Sequence, residues 1–159
     1  AGGATGPVDP QTLEDAVTAA CASLAEQMVA DAEGATKLVR IHVTGARSDA
    51  EARTAARAVA TSQLTKCSWY GQDPYWGRVA SDLGAAGVAF DPVLLTIAYG
   101  GTVVCRHGVE ADHDTAAVTA HMAGRDLEIT ADLGISAGRA TVLTCDLTHA
   151  YVDENMGTS

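Results

Sequence analysis

Two stretches of this chain alternate apolar and polar residues with a period of two, and they limit its fold more than any other feature. In residues 37–43, Val39, Ile41 and Val43 fall on one face and Leu38, Arg40 and His42 on the other. In residues 126–132, Leu127, Ile129 and Ala131 oppose Asp126, Glu128, Thr130 and Asp132. Successive side chains of a strand point to opposite faces, so both stretches read as strands. Two further pairs of apolar runs are punctuated by glycine. Residues 94–99 and 102–106 flank Gly100-Gly101, the pattern of a tight hairpin. Gly134 to Gly138 is expected to turn 126–132 back into a strand over 139–145, so that the strands meet mainly in hairpins.

The segments between are helical. Asp9-Pro10 is an N-cap followed by proline at the first helical position, and Gly34 is a C-terminal stop. Between them Leu13, Ala16, Val17, Ala20, Leu24 and Met28 form one apolar stripe, expected to pack inward. Ser48-Asp49-Ala50-Glu51 is a capping box, and the helix after it turns Ala52, Ala55, Ala56, Val59 and Ala60 inward with Arg53 and Arg57 to water. A short helix is expected near 115–122, and Asp146 is expected to cap a last one through Tyr151 and Val152. Residues 1–8 read as a mobile, glycine-rich loop, leaving 9–159 as one domain. The class is α+β, with helices layered on a largely antiparallel sheet.

The aromatic residues gather in one place. Residues 66–78 hold both tryptophans and two of the four tyrosines of a chain that is only 4% aromatic. Gly71 and Asp73-Pro74 mark a turn there, and Trp76 opens a small-residue helical run that stops at Gly84. Such a corner either clamps a helix onto the sheet or forms the wall of a small-molecule pocket. Composition does not choose between the two.

Charge and composition exclude several partner classes. The 159 residues carry 20 acidic and 10 basic side chains, a net charge of −10. That argues against nucleic acid and against an anionic membrane surface. No apolar run approaches the ~20 residues of a membrane span, and no signal-peptide pattern is present, so the chain reads as cytoplasmic. Cys21, Cys67, Cys105 and Cys145 are scattered without metal spacing and read as mostly buried thiols. His107, His113 and His121 cluster loosely, without the spacing of ligands. No metal or cofactor is expected.

Three ordered segments carry a resemblance: Glu33-Gly34-Ala35-Thr36-Lys37; Lys66 with Asp73-Pro74-Tyr75-Trp76-Gly77-Arg78; and Cys145-Asp146-Leu147-Thr148 with Tyr151, Val152 and Asn155. Together they resemble the C-terminal part of the β chain of the ornithine acetyltransferase (glutamate N-acetyltransferase) family, from about Leu13 to Asn155. The resemblance implies an αββα-type layered fold shared with self-processing aminopeptidases, of which this chain is part. It also implies a precursor that cuts itself before a threonine, giving α and β chains that pair as a heterotetramer. The new N-terminal threonine takes an acetyl group from N-acetylornithine and passes it to glutamate. In that family Glu33 and Asn155 match substrate-binding positions, and Ser159 matches the hydroxyl residue at the carboxyl end. Asp73, Trp76 and Arg78 match architectural positions, with the Asp and Arg locking the turn together.

The departures matter as much. The nucleophilic threonine lies upstream of everything in this chain, and Thr5, between Ala4 and Gly6, has no claim to the role. The chain is therefore expected to have no catalytic residue of its own and to be inactive without the α chain and the N-terminal part of the β chain. Tyr75 replaces the family's asparagine, and the tail 155–159 is one residue short and lacks a tyrosine. These changes leave open a paralogue with another amine acceptor. A self-processing amidase or aminopeptidase of the same fold, with water as acceptor, and an inactive scaffold subunit are the readings from other classes.

Overall fold

The computed structural model describes residues 6–157 of the chain. Asp9 accepts a hydrogen bond from the Thr12 amide and begins α1, Pro10–Ala30. Ser48 caps α2, Asp49–Thr61, and Ser62 caps α3, Gln63–Tyr70. Three more helices follow: α4 Trp76–Ala85, α5 Thr115–Ala123 and α6 His149–Asn155. The strands are β1 Leu38–Ala46, β2 Thr96–Tyr99, β3 Thr102–Arg106, β4 Val109–Glu110, β5 Asp126–Asp132 and β6 Gly138–Cys145. They form one six-stranded sheet in the order β4-β3-β2-β5-β1-β6.

The β2–β3 hairpin turns through Gly100 and Gly101, both at positive φ, as a twisted two-residue turn requires. The second expected hairpin does not form. β5 and β6 lie on opposite sides of β1, parallel and antiparallel to it respectively. The link over residues 133–137 steps across the end of β1, where the Leu133 amide donates to Thr44 and the Ile135 and Ser136 amides to Gly45. Two inter-strand spacings are about 10 Å and five extended residues reach about 17 Å, so the step is easily spanned. It places β1, whose Val39, Ile41 and Val43 are fully buried, between two other strands. The remaining pairings are antiparallel.

The in-register pairs Val39–Leu127, Ile41–Ile129 and Val43–Ala131 put these side chains on one face, and all are fully buried. Helix α2 covers them with Ala52, Ala55, Ala56, Val59 and Ala60, small enough for a close approach to the sheet. Val79 and Leu83 of α4, Trp69 of α3 and Met122 of α5 complete this core. The opposite face is polar. Arg40 pairs there with Glu26, Asp126 and Glu128, and His42 with Glu128 and Thr141. Tyr99 lies at the core's edge, and burial raises its phenol well above the ordinary range. Above about pH 10 an unfolded chain releases this proton while the folded chain keeps it, so folding loses stability as pH rises. Tyr99→Phe should therefore flatten the alkaline limb of a stability–pH curve measured by urea unfolding.

Several expectations change. No residue of α1 is buried, and Leu13, Val17, Leu24 and Met28 are all exposed. Its apolar stripe does not join the core because α2 already fills the sheet face that the apolar strand residues present. The helix also ends at Ala30, capped by Asp31 and not stopped by Gly34. Of the cysteines only Cys105 is buried; Cys145 is half-buried, and Cys21 and Cys67 sit on exposed helix surface. The histidines serve separate local bonds, with His121 Nε2 accepting from the Glu128 amide and His107 and His113 bonded to the Val93 and Ala111 carbonyls.

The aromatic stretch is a clamp. Trp69 is fully buried and Trp76 packs on the core. Its first half is helical as α3, and α4 runs through Gly84 to Ala85. Asp73 and Arg78 are joined at 3.2 Å, and Arg78 also donates to the Leu64 carbonyl, tying the turn to α3. Tyr75 occupies the N-cap of α4 without a side-chain capping bond. Asparagine is favoured there because its oxygen reaches the free amides of the first turn. Tyr75→Asn should accordingly stabilise the chain by about 0.5–1 kcal/mol in urea unfolding. A change in ligand affinity with unchanged stability would contradict this account.

Candidate functional site

The site is built where β1 begins and β6 ends. The loop from α1 to β1 carries Gly34 at φ +68°, and a Cβ there would lie 2.5 Å from the Tyr151 nitrogen. Only glycine lets this loop press against the backbone of α6. Thr148, the N-cap of α6, accepts from the Tyr151 amide and donates to the Gly34 carbonyl at 2.7 Å, joining loop and helix. Asp146 is not that cap. It is buried, and its carboxylate accepts from the backbone amides of Thr36 at 2.8 Å and Lys37 at 3.0 Å and from the Thr36 hydroxyl. The end of β6 thereby holds the loop that carries Glu33. Lys37, also buried, donates through Nζ to the carbonyls of Met122, Ala123 and Gly124, closing the C-terminal end of α5.

Two of the three expected site residues meet across the loop and α6. Asn155 Nδ2 donates to Glu33 Oε2 at 2.9 Å and to the Tyr151 carbonyl at 2.8 Å. Both side chains are exposed, and Glu33 Oε1 and the Asn155 carbonyl oxygen have no partner among the described residues. Ser159 lies outside the described residues, as does Thr5. Glu33 lines a cleft of 620 Å³ with Lys66, Thr144, Cys145, Tyr151 and Val152. Thr144 is fixed in its wall by donating to the Ala60 carbonyl at 2.9 Å. A larger hollow along α1, lined by Leu24, Gln27, Met28, Ala30 and Asp31, holds only one ionisable side chain. The Glu33 cleft instead brings both charge signs together, the complement of a small zwitterion. Tyr75 does not line it.

Sequence reading attached no role to Lys66 and the wrong one to Asp146, although both lie in segments that carry the resemblance. The signal for Asp146 was its place three residues before the helix, two residues too far forward to cap at Thr148's position. Among the described residues no group of three His, Cys, Asp or Glu side chains could hold a metal. Nor is any helix there long and apolar enough to cross a membrane.

Fold and cleft define an α+β layered protein with a small cleft, lined by side chains of both charge signs, at one end of its sheet. Comparison with known proteins makes this particular. The model of the ArgJ family matches residues 1–157. The arginine biosynthesis bifunctional protein ArgJ of Zymomonas mobilis is 43% identical over 148 residues, covering 92% of this chain and 36% of that protein. Its counterpart from Mycolicibacterium paratuberculosis is 45% identical over 156 residues, covering 98% and 38%. The crystal structure of the Bacillus halodurans protein of the same name superposes with a TM-score of 0.90 at 33% identity, covering 94% of this chain and 73% of that one. The chain belongs to the ArgJ family. It spans little more than a third of the length of the curated relatives it matches.

Proposed function

We propose that this chain supplies the substrate-binding part of an enzyme that transfers an acetyl group from N-acetylornithine to glutamate, a step of arginine biosynthesis. The observation that carries the reading is the Asn155–Glu33 hydrogen bond, which joins residues 122 apart in sequence beside the charged cleft. Glu33 holds the ammonium of the amino-acid substrate, and Asn155 orients that carboxylate while offering its own carbonyl oxygen as a second acceptor. Ser159 contributes a hydroxyl from the carboxyl-terminal tail. The acetyl group passes through an ester on the N-terminal threonine of another polypeptide, so two easier acyl transfers replace one direct exchange between amides.

The partner in this reading is the rest of the same precursor, its α chain and the N-terminal part of its β chain, in a cytoplasmic α/β heterotetramer. The exposed apolar stripe of α1 supports the need for such a partner, since Leu13, Val17, Leu24 and Met28 otherwise face water. An intact-mass spectrum of the purified assembly, before and after N-acetylornithine, tests the proposal. A second chain that begins with threonine and gains one acetyl group is expected. Glu33→Gln should lower kcat/KM for N-acetylornithine by about tenfold or more, because a charge-assisted bond becomes a neutral one. An unacetylated preparation that turns over no substrate would refute the proposal.

A further inference from the structure

We propose that Lys66 is the carboxylate anchor of this cleft, holding the α-carboxylate of N-acetylornithine while Glu33 holds its δ-ammonium. The inference rests on the preceding reading of the cleft and adds a residue and a chemical group to it. Among the described residues Lys66 is the one partly buried cation with neither a carboxylate nor a carbonyl partner. Arg40 and Arg78 are ion-paired, Lys37 is bonded to three carbonyls, and the other arginines are exposed. Lys66 Nζ has one polar neighbour, Cys145 Sγ at 3.9 Å. A thiol can occupy one of the three ammonium donors, and weakly, so two remain for a ligand. Removing an ammonium partly from water without an anionic partner is costly, and a bound carboxylate offsets that cost.

The placement of Lys66 is also built. Ser62 caps α3 by accepting from the Thr65 amide, and the Leu147 amide donates to the Lys66 carbonyl at 3.3 Å, so the lysine backbone is tied to the end of β6 beside Asp146. The other carboxylate in the lining, Asp146, is saturated by Thr36 and Lys37 and does not compete for the ammonium. Glu33 lines the same cleft without forming an ion pair with Lys66, which leaves a gap between the two charges. Both N-acetylornithine and glutamate carry an α-carboxylate beside the reacting nitrogen, so one anchor serves donor and acceptor in turn, while Glu33 contacts only the donor's δ-ammonium and leaves the glutamate amine free to attack the ester. Binding both through the same end returns the reacting nitrogen to the same neighbourhood in each half-reaction, as an exchange through a single acyl ester requires.

The test compares N-acetylornithine with N-acetylputrescine, which is the same molecule without its α-carboxylate. Dissociation constants are measured by calorimetry on the assembled enzyme in wild-type, Lys66→Gln, Lys66→Arg and Glu33→Gln forms. The wild-type enzyme should prefer N-acetylornithine by roughly tenfold or more, the usual yield of a charge-assisted contact. Lys66→Gln should bring the ratio near one while leaving N-acetylputrescine affinity unchanged, and Lys66→Arg should restore part of the preference. Equal affinity of the wild type for both ligands, or an undiminished preference in Lys66→Gln, overturns the proposal. Should Lys66→Gln fail to fold, the wild-type ratio and Lys66→Arg still decide it. Glu33→Gln should weaken both ligands alike, since both carry the ammonium. If it weakens neither, the underlying reading of the cleft fails independently of Lys66.

Discussion

Lys37→Met should lower the unfolding free energy of this chain by about 3 kcal/mol, measured as a drop in urea midpoint with an unchanged denaturant slope. The methionine keeps the apolar stem of the side chain and removes only the ammonium. What is lost is the set of bonds to the carbonyls of Met122 at 2.9 Å, Ala123 at 3.3 Å and Gly124 at 2.7 Å. These carbonyls end α5, where an α-helix leaves its last acceptors without internal partners and carries partial negative charge. Lys37 is only 7% exposed, so water cannot readily replace it. Leaving buried acceptors unpaired carries the full desolvation cost and not the smaller net value of a hydrogen bond. The damage should be visible locally as faster amide exchange through the last turn of α5. A change below 1 kcal/mol would mean that water satisfies these carbonyls as well as the lysine does.

Asp146→Ala should cost about 3 kcal/mol as well, and should also reach the ligand site. The buried carboxylate receives two backbone amides and a hydroxyl from Thr36 and Lys37, the residues that connect Glu33 to β1. Without it, both amides are orphaned and the loop loses its tie to the end of β6. Asp146→Asn should fall between wild type and Ala, since one side-chain oxygen remains while the other position becomes a donor facing a donor. Hydrogen exchange at Thr36 and Lys37 should rise in both variants, and affinity for N-acetylornithine should fall with it. Unchanged exchange at these two amides, with stability lost elsewhere, would show that Asp146 does not hold the loop.

These two residues also mark the limit of sequence reading. The strands over 38–46 and 126–132, the alanine face of α2, the β2–β3 hairpin and the caps at Asp9 and Ser48 were all legible, because each depends on residues close together in sequence. The resemblance placed Glu33 and Asn155 in one site, and their side chains meet at 2.9 Å. Lys37 and Asp146 were misread or passed over because their partners lie 85 to 110 residues away. A local pattern holds no information about such a bond.

The same division runs through the rest of the chain. Sequence by itself determined most of the helices and strands, though neither α3 nor β4, and the apolar faces of β1 and β5, because side-chain period and capping chemistry are properties of neighbours. Only the tertiary structure decided that β1 lies between β5 and β6, since a five-residue link can either close a hairpin or step across a strand. It likewise decided that the stripe of α1 stays exposed, because one sheet face accommodates one close layer and α2 occupies it. Lys66 belongs to this second group. Its lack of a carboxylate partner among the described residues becomes visible only when α3 and the end of β6 are brought together around one cleft.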